Sequence, residues 1–405
     1  MRVTPQSLRP AFHTPSRRAL RPVFAALAIA CGSCLPAHAQ APIKIGFIGE
    51  LSGPQAAVGK DQYDGLMLLI EGNGGKLGGV PVRVIREDSQ LKPDVANQLA
   101  RKLVEREKVD IITGVSFSNI MMAIHKYVTD NKVVLIGTNA GPSQIAGAQC
   151  SPYQFIMSPQ GDQTSEAVGK YATDKGYKRV FLLAPNYQAG KDTLAGFKRH
   201  FKGEIVEEIY SPLSQQDFSA ELTQVSASKP DAVFAFYPGG LGVSFAKQYS
   251  QAGMMKTIPL LSTYVADAIT LPSLGPGAMG MISASIWAPD SANPASRKFV
   301  ADFEKKYKRI PSNYAAQSYD AALLLDSAIA KVGGKVADRQ AFMAALKSAD
   351  FASVRGNFRF NNNQFPIQDV HVLEVARDDK GRASLKTIAT PFKNHQDAYH
   401  DKCAM

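Results

Sequence analysis

The sequence predicts an α/β fold made of two similar lobes with parallel sheets, and three observations carry that expectation. From residue 42 onward, short apolar runs alternate with stretches of helical periodicity. That alternation restarts near residue 162, and after Trp287-Ala288-Pro289 it gives way to helices and then to a β-rich end. Short apolar runs separated by helices imply βαβ units, because a parallel pair needs a crossover long enough to hold a helix.

The elements follow in order. Ile43 to Ile48 is a buried strand, and Gly59 to Gly72 has Tyr63, Leu66, Met67 and Ile70 at helical spacing. Val80 to Arg86 is a second strand, and Pro93 to Arg106 a helix with Val95, Leu99 and Leu103 on one face. Val109 to Thr113, Asn119 to Asp130 and Lys132 to Ile136 read as strand, helix and strand. The second series runs helix Asp162–Lys175, strand Arg179–Ala184, helix Gly190–Phe201, strand Glu204–Tyr210, helix Phe218–Ser228 and strand Ala232–Phe236. Helix Gly240–Ala252 and strand Ile258–Leu261 complete it. Helices are then expected over Pro294–Tyr307, Tyr314–Val332 and Arg339–Lys347, strands over Gly356–Phe360 and Val370–Ala376, and an irregular polar tail from Thr390.

The 405 residues carry 46 Lys+Arg against 35 Asp+Glu, a net charge of +11, which raises nucleic acid or an anionic membrane as partners. Five of those charges are Arg2, Arg9, Arg17, Arg18 and Arg21, within a segment, residues 1–39, that has no acidic residue. It continues into the apolar stretch Val23–Ala30 and ends on Ala37-His38-Ala39. A basic start, a short apolar core and an A-x-A site make a secretory signal peptide cut near Ala39, and the core is too short to span a membrane. Ala28-Ile29-Ala30-Cys31 lacks the Leu of a lipoprotein site, and the residues around Arg17-Arg18 fit a twin-arginine signal poorly. Without the leader the charge falls to +6, with no aromatic-basic stripe suited to nucleic acid. Cys31 and Cys34 leave with it. Cys150 and Cys403 remain, either bridged, as an exported pair usually is, or as two free thiols. Two thiols and scattered histidines do not make a metal site.

Two phosphate-loop look-alikes fail on inspection. Gly53 to Lys60 has five residues between its glycines, and Asp61 stands where Ser or Thr is needed. Gly275-Pro276-Gly277-Ala278-Met279-Gly280 precedes a strand-like run instead of opening a helix, so both read as turns. No G-x-S-x-G, HExxH or Cys-His cluster appears, His125 sits in an apolar helical pattern, and Asp378-Asp379 reads as a turn. Nothing argues for an enzyme or a cofactor.

Small polar residues do gather where the strands end, and a parallel sheet places its ligand crevice just beyond the carboxyl ends of its strands. Ser116, Ser118 and Asn119 follow the third strand and open a helix, whose free N–H groups and dipole suit a carboxylate. Ser118 is equally readable as that helix's N-cap. Gly137-Thr138-Asn139-Ala140-Gly141-Pro142-Ser143 follows the next strand. The second lobe offers Asn186-Tyr187, then Tyr237-Pro238-Gly239-Gly240, then Ser262-Thr263-Tyr264. Tyrosine supplies an apolar face and a polar tip, so Tyr187, Tyr237 and Tyr264 are candidates for stacking or hydroxyl contacts or for packing at the rim.

These residues carry a resemblance. Ile45-Gly46-Phe47-Ile48 through Leu51-Ser52-Gly53-Pro54, Gly59 with Gly65, Asp88, Gly114 with Ser118, Asn186-Tyr187 with Gly190, and Gln317-Ser318-Tyr319-Asp320-Ala321-Ala322 resemble, in order, the periplasmic leucine/isoleucine/valine-binding protein family. The resemblance covers nearly all of residues 42–376 and implies a type I solute-binding protein of an ABC importer. It implies two Rossmann-like lobes joined by a three-crossing hinge, closing around a small ligand that is handed to a membrane permease and its ATPase. The lobes would be 42–158 with 290–364, and 159–289 with 365–405, crossing near Ser158-Pro159, Ala288-Pro289 and Gln364-Phe365-Pro366. Carried over, Ser118 binds the ligand carboxylate, Asn139, Ala140 and Gly141 complete that site, and Tyr187 covers the ligand. The family often has Thr at Gly141 and an aromatic at Val58. Its acid for an α-ammonium should fall near Thr263-Tyr264, where none stands, although Asp267 is close in sequence. An uncompensated ammonium in a closed cleft costs several kcal/mol. The pattern therefore looks more like the branch that binds aromatic carboxylates of benzoate or hydroxycinnamate type, with amino-acid binding, a periplasmic sensor and a hydrolase as alternatives. A monomer in the periplasm, free of nucleic acid, is expected.

Overall fold

A computed structural model describes residues 41–405, together with Ala11. The expected leader, with Cys31 and Cys34, lies, Ala11 apart, outside the described residues.

The first series is β1 (Ile43–Gly49), α1 (Ala56–Gly72), β2 (Lys76–Leu77), β3 (Val80–Asp88), α2 (Pro93–Arg101), β4 (Ile111–Gly114), α3 (Ser118–Asp130), β5 (Val134–Gly137), α4 (Ser143–Ala146) and β6 (Gln154–Ile156). Its strands form one sheet in the order β2-β3-β1-β4-β5-β6, parallel except for the β2–β3 hairpin. The helix expected over Pro93–Arg106 changes hydrogen-bonding pattern after Arg101, finishing as a π-helical turn over Lys102–Arg106.

The second series is α5 (Gln163–Asp174), β7 (Arg179–Pro185), α6 (Gln188–His200), β8 (Glu204–Ser211), α7 (Ser219–Ser228), β9 (Ala232–Phe236), α8 (Gly239–Gln251), β10 (Leu260–Thr263), α9 (Leu271–Leu274) and β11 (Ile282–Ser285). After it come α10 (Pro294–Tyr307), α11 (Asn313–Lys331), α12 (Arg339–Lys347), β12 (Arg359–Phe360), β13 (Pro366–Arg377) and β14 (Ala383–His395). The second sheet runs β12-β13-β11-β10-β9-β7-β8, with β14 paired to β13. Strands buried on both faces, such as Ile111–Gly114 and Ala232–Phe236, account for the apolar runs in the sequence.

One expectation is corrected. The segment from Thr390 is not irregular but continues β14 to His395, antiparallel to β13 with register shifts between Gln368 and Leu373. Its polar composition is that of an edge strand, which tolerates Pro391 because one row of its backbone groups needs no partner strand. The chain then turns back, so that Tyr399 packs on the apolar cluster of Ile145 and Ala146, and Cys403 is disulfide-bonded to Cys150.

α11 lies against α1, and its start is held by Ser312, whose hydroxyl accepts from Tyr314 N and Ala315 N at 3.1 and 3.4 Å. Asp61 of α1 accepts in turn from Ser312 N at 3.1 Å and pairs with Arg309. Two glycines of α1 permit close approach, Gly59 to the turn after β1 and Gly65 to α11. A Cβ on Gly59 would stand 2.1 Å from the Glu50 carbonyl oxygen, and one on Gly65 would stand 2.2 Å from that of Ala315. Gly65→Ala therefore forces α1 and α11 apart, and urea unfolding is expected to show a loss of about 1–3 kcal/mol. An unchanged unfolding midpoint would mean that the helices have room to separate.

Candidate functional site

Each sheet reverses its winding beside the first strand of its series: β1 lies between β3 and β4, and β7 between β8 and β9. Crevices open at the carboxyl ends of strands at such points. A cleft lies there, lined by the turns after β4, β5, β7, β9 and β10, by Val58 of α1, by Tyr314 of α11, and by Pro159 and Gly161.

The β4–α3 turn is sharp. Gly114 has φ +98° and Val115 φ +64°, an uncommon conformation for a β-branched residue. It is held because Val115 N donates to Ile48 O at 2.7 Å while Val115 O accepts from Ala140 N at 3.1 Å. The turn carries Ser116, Phe117 and Ser118 into the cleft. The N-cap of α3 is Phe117, not Ser118, and it offers no side-chain acceptor. The first N–H groups of α3, those of Ser118 and Asn119, have no acceptor within the helix. The Ser118 hydroxyl instead accepts from Ala189 N, at the start of α6, at 2.9 Å. A hydroxyl that accepts on its lone pair keeps its own proton to donate.

Behind this turn lies a buried polar network. Asn139 Nδ2 donates to Ser116 O at 2.6 Å, the Ser116 hydroxyl donates to Gln62 Oε1, and Gln62 Nε2 donates to Thr138 Oγ1 at 2.8 Å. Burial pushes the Glu50 carboxyl up to about 7, against the opposing hydrogen bond from Ser89.

Much of the lining is aromatic. Phe117, Tyr187, Phe236, Tyr264 and Tyr314 all line the cleft. Consecutive centroids are 6.3 Å apart for Phe117–Tyr187, 6.2 Å for Tyr187–Phe236, 5.8 Å for Phe236–Tyr264 and 5.8 Å for Tyr264–Tyr314. Burial raises the phenols of Tyr187 and Tyr264, so both stay protonated and able to donate. Among the described residues that line the cleft, none is charged.

Seven of the expected site residues meet here: Ser116, Ser118, Asn139, Ala140, Gly141, Tyr187 and Tyr264. The structure places three elsewhere. Tyr237 is fully buried among Phe218, Phe245 and Tyr249, with its hydroxyl 3.2 Å from Ser211 Oγ. Asn119 does not line the cleft, and its Oδ1 is buried without a hydrogen-bond partner. Asp267 is 2% exposed, and its Oδ1 accepts from Ile269 N and Thr270 N at 2.9 and 3.0 Å, closing the turn before α9. Phe117, Phe236 and Tyr314 were missed. Strand alternation was the available signal for Phe236, since Val233, Ala235 and Tyr237 share one apolar cluster while Phe234 and Phe236 share another. Tyr314 had no local signal, because the α1–α11 packing brings it in.

Comparison with known proteins agrees with this architecture. Residues 42–382 match the family model for periplasmic binding proteins. The "Leu/Ile/Val-binding protein homolog 6" of Brucella melitensis is 32% identical over 359 residues, covering 86% of this chain and 91% of that protein. The solute-binding protein of an ABC transporter from R. palustris in complex with benzoate superposes with a TM-score of 0.85 at 31% identity, covering 90% of this chain and 100% of the other. A second from R. palustris, in complex with 4-hydroxybenzoate, gives 0.82 at 29% identity, covering 88% and 98%. The chain belongs to the periplasmic binding protein family, with the α/β fold of its type I members and the ABC-transporter solute-binding proteins among its relatives.

Proposed function

We propose that the chain captures a small aromatic carboxylate and delivers it to an ABC permease and its ATPase. The observation that carries this reading is a cleft that pairs five aromatic rings with a helix N-terminus and has no charged lining residue. The start of α3 and the Ser118 hydroxyl suit a carboxylate, and the rings suit a planar apolar body. An α-ammonium would find no carboxylate on the lining, since Asp267 lies outside it. The relatives in complex with benzoate and 4-hydroxybenzoate support the same class. The protein acts as a monomeric binding protein, not an enzyme, in the periplasm after cleavage near Ala39.

Ligand release in this reading uses lobes 42–158 with 290–364 and 159–289 with 365–405, hinged near Ser158-Pro159, Ala288-Pro289 and Gln364-Pro366. The Ser118–Ala189 hydrogen bond, which joins the two series, belongs to the closed form.

A thermal-denaturation screen of benzoates, phenylpropenoids and aliphatic amino acids tests the proposal. An aromatic acid at 100 times its Kd should stabilise by about 2.7 kcal/mol. Ser118→Ala should weaken that binding roughly 10- to 100-fold, the effect of losing a hydrogen bond to a charged group. A shift with leucine or valine alone would reject the aromatic reading.

A further inference from the structure

We infer that Tyr314, backed by Asp267, receives a hydroxyl on the ring of the ligand and so makes the cleft selective for hydroxylated aromatic acids. This inference rests on the aromatic-carboxylate reading and deepens it.

Tyr314 lines the cleft, yet it is fully buried and its hydroxyl has no hydrogen-bond partner among the described residues. Asp267 Oδ2 is likewise buried and unpartnered, and it lies beside the Tyr314 phenol. Two orphaned polar groups side by side at a cleft wall are costly, because each has lost water without a replacement. Ser118 and Ser116 are engaged, with Ala189 N and Gln62, and among the other lining residues Asn139 Oδ1 is also buried without a partner.

The chemistry of the pair is complementary to a phenol. Tyr314 carries one proton and free lone pairs, and a carboxyl group behind it accepts. With Tyr314 donating to Asp267 Oδ2, the Tyr314 oxygen is left to accept the proton of a ligand hydroxyl. Burial raises the Tyr314 phenol, and the nearby Asp267 adds to that, so its proton is retained. Asp267 is held in place independently, by its turn with Ile269 and Thr270. A plain benzoate leaves the buried Tyr314 oxygen without a donor, and this discriminates against a ligand lacking the hydroxyl.

The test is calorimetric titration of the full mature chain with benzoate, 3-hydroxybenzoate, 4-hydroxybenzoate and 3,4-dihydroxybenzoate. At least one hydroxylated acid should bind roughly 10- to 100-fold more tightly than benzoate. Tyr314→Phe should bring that ratio close to one, whatever happens to the absolute affinities, while its thermal melt shows that it folds. Asp267→Asn, which keeps an acceptor, should retain part of the preference. Benzoate binding as tightly as every hydroxylated acid, or a preference that survives in Tyr314→Phe, would overturn the inference and leave the aromatic reading standing. Binding of none of the four acids would overturn both.

Discussion

Replacing Asp320 by Ala should destabilise the protein by about 3–5 kcal/mol, the cost of stranding its buried partner. The side chains of Asp320 and Arg355 are 0% and 1% exposed, and Arg355 Nε donates to Asp320 Oδ2 at 2.8 Å. The carboxylate also accepts from Ser353 Oγ at 2.6 Å and Val354 N at 2.9 Å. The guanidinium donates to Met157 O at 2.6 Å and Gln368 Oε1 at 2.8 Å, which flank two of the proposed crossings. Burial lowers the Arg355 pKa while Asp320 opposes it, so the carboxylate is what keeps this cation tolerable. Urea unfolding of Asp320→Ala, Arg355→Met and the double variant measures the effect. The double variant should recover part of the loss, because an apolar replacement leaves no buried charge. A single-variant loss below about 1 kcal/mol would show that water reaches the pair.

Removing the disulfide should have an effect of similar size. Cys150 and Cys403 are 253 residues apart, and a loop of that length corresponds in the chain-entropy model to an upper bound of about 5 kcal/mol. The bond secures a segment with other contacts: Asn363 Nδ2 donates to Asp397 Oδ2 at 2.9 Å, and Asn362 Nδ2 to His400 O at 3.0 Å. The Cys150→Ala/Cys403→Ala pair should therefore fold but unfold at lower urea, with a loss of about 2–5 kcal/mol. The reduced wild type should match it. Equal stability of oxidised and reduced protein would mean that the noncovalent contacts of the tail suffice.

Both effects concern residues whose importance the sequence signalled without explaining. The motif Gln317 to Ala322 contributes to the resemblance, but its Asp320 is the buried partner of Arg355 and does not line the cleft. Gly59 and Gly65 are likewise places where backbone meets backbone. The alternation of apolar runs made the order of strands and helices readable, since period and burial on both faces are local properties of a chain. The tail misled because an edge strand needs no apolar run.

The site divides in the same way. Ser118, Asn139 and Tyr187 were legible because strand ends in a parallel sheet lie at the crevice whatever else the chain does. Tyr237 and Phe236 are neighbours, and only the pleat decides which of them meets the cleft. Tyr314 comes from an element far along the chain, seated by Ser312, Asp61 and Arg309. By itself, then, the sequence determined the α/β architecture, the family and the polar end of the cleft, because periodicity and strand-end chemistry are written locally. Tertiary structure alone decided the aromatic wall, the seclusion of Asp267 and the return of the tail to Cys150, because each depends on packing between segments distant in the chain.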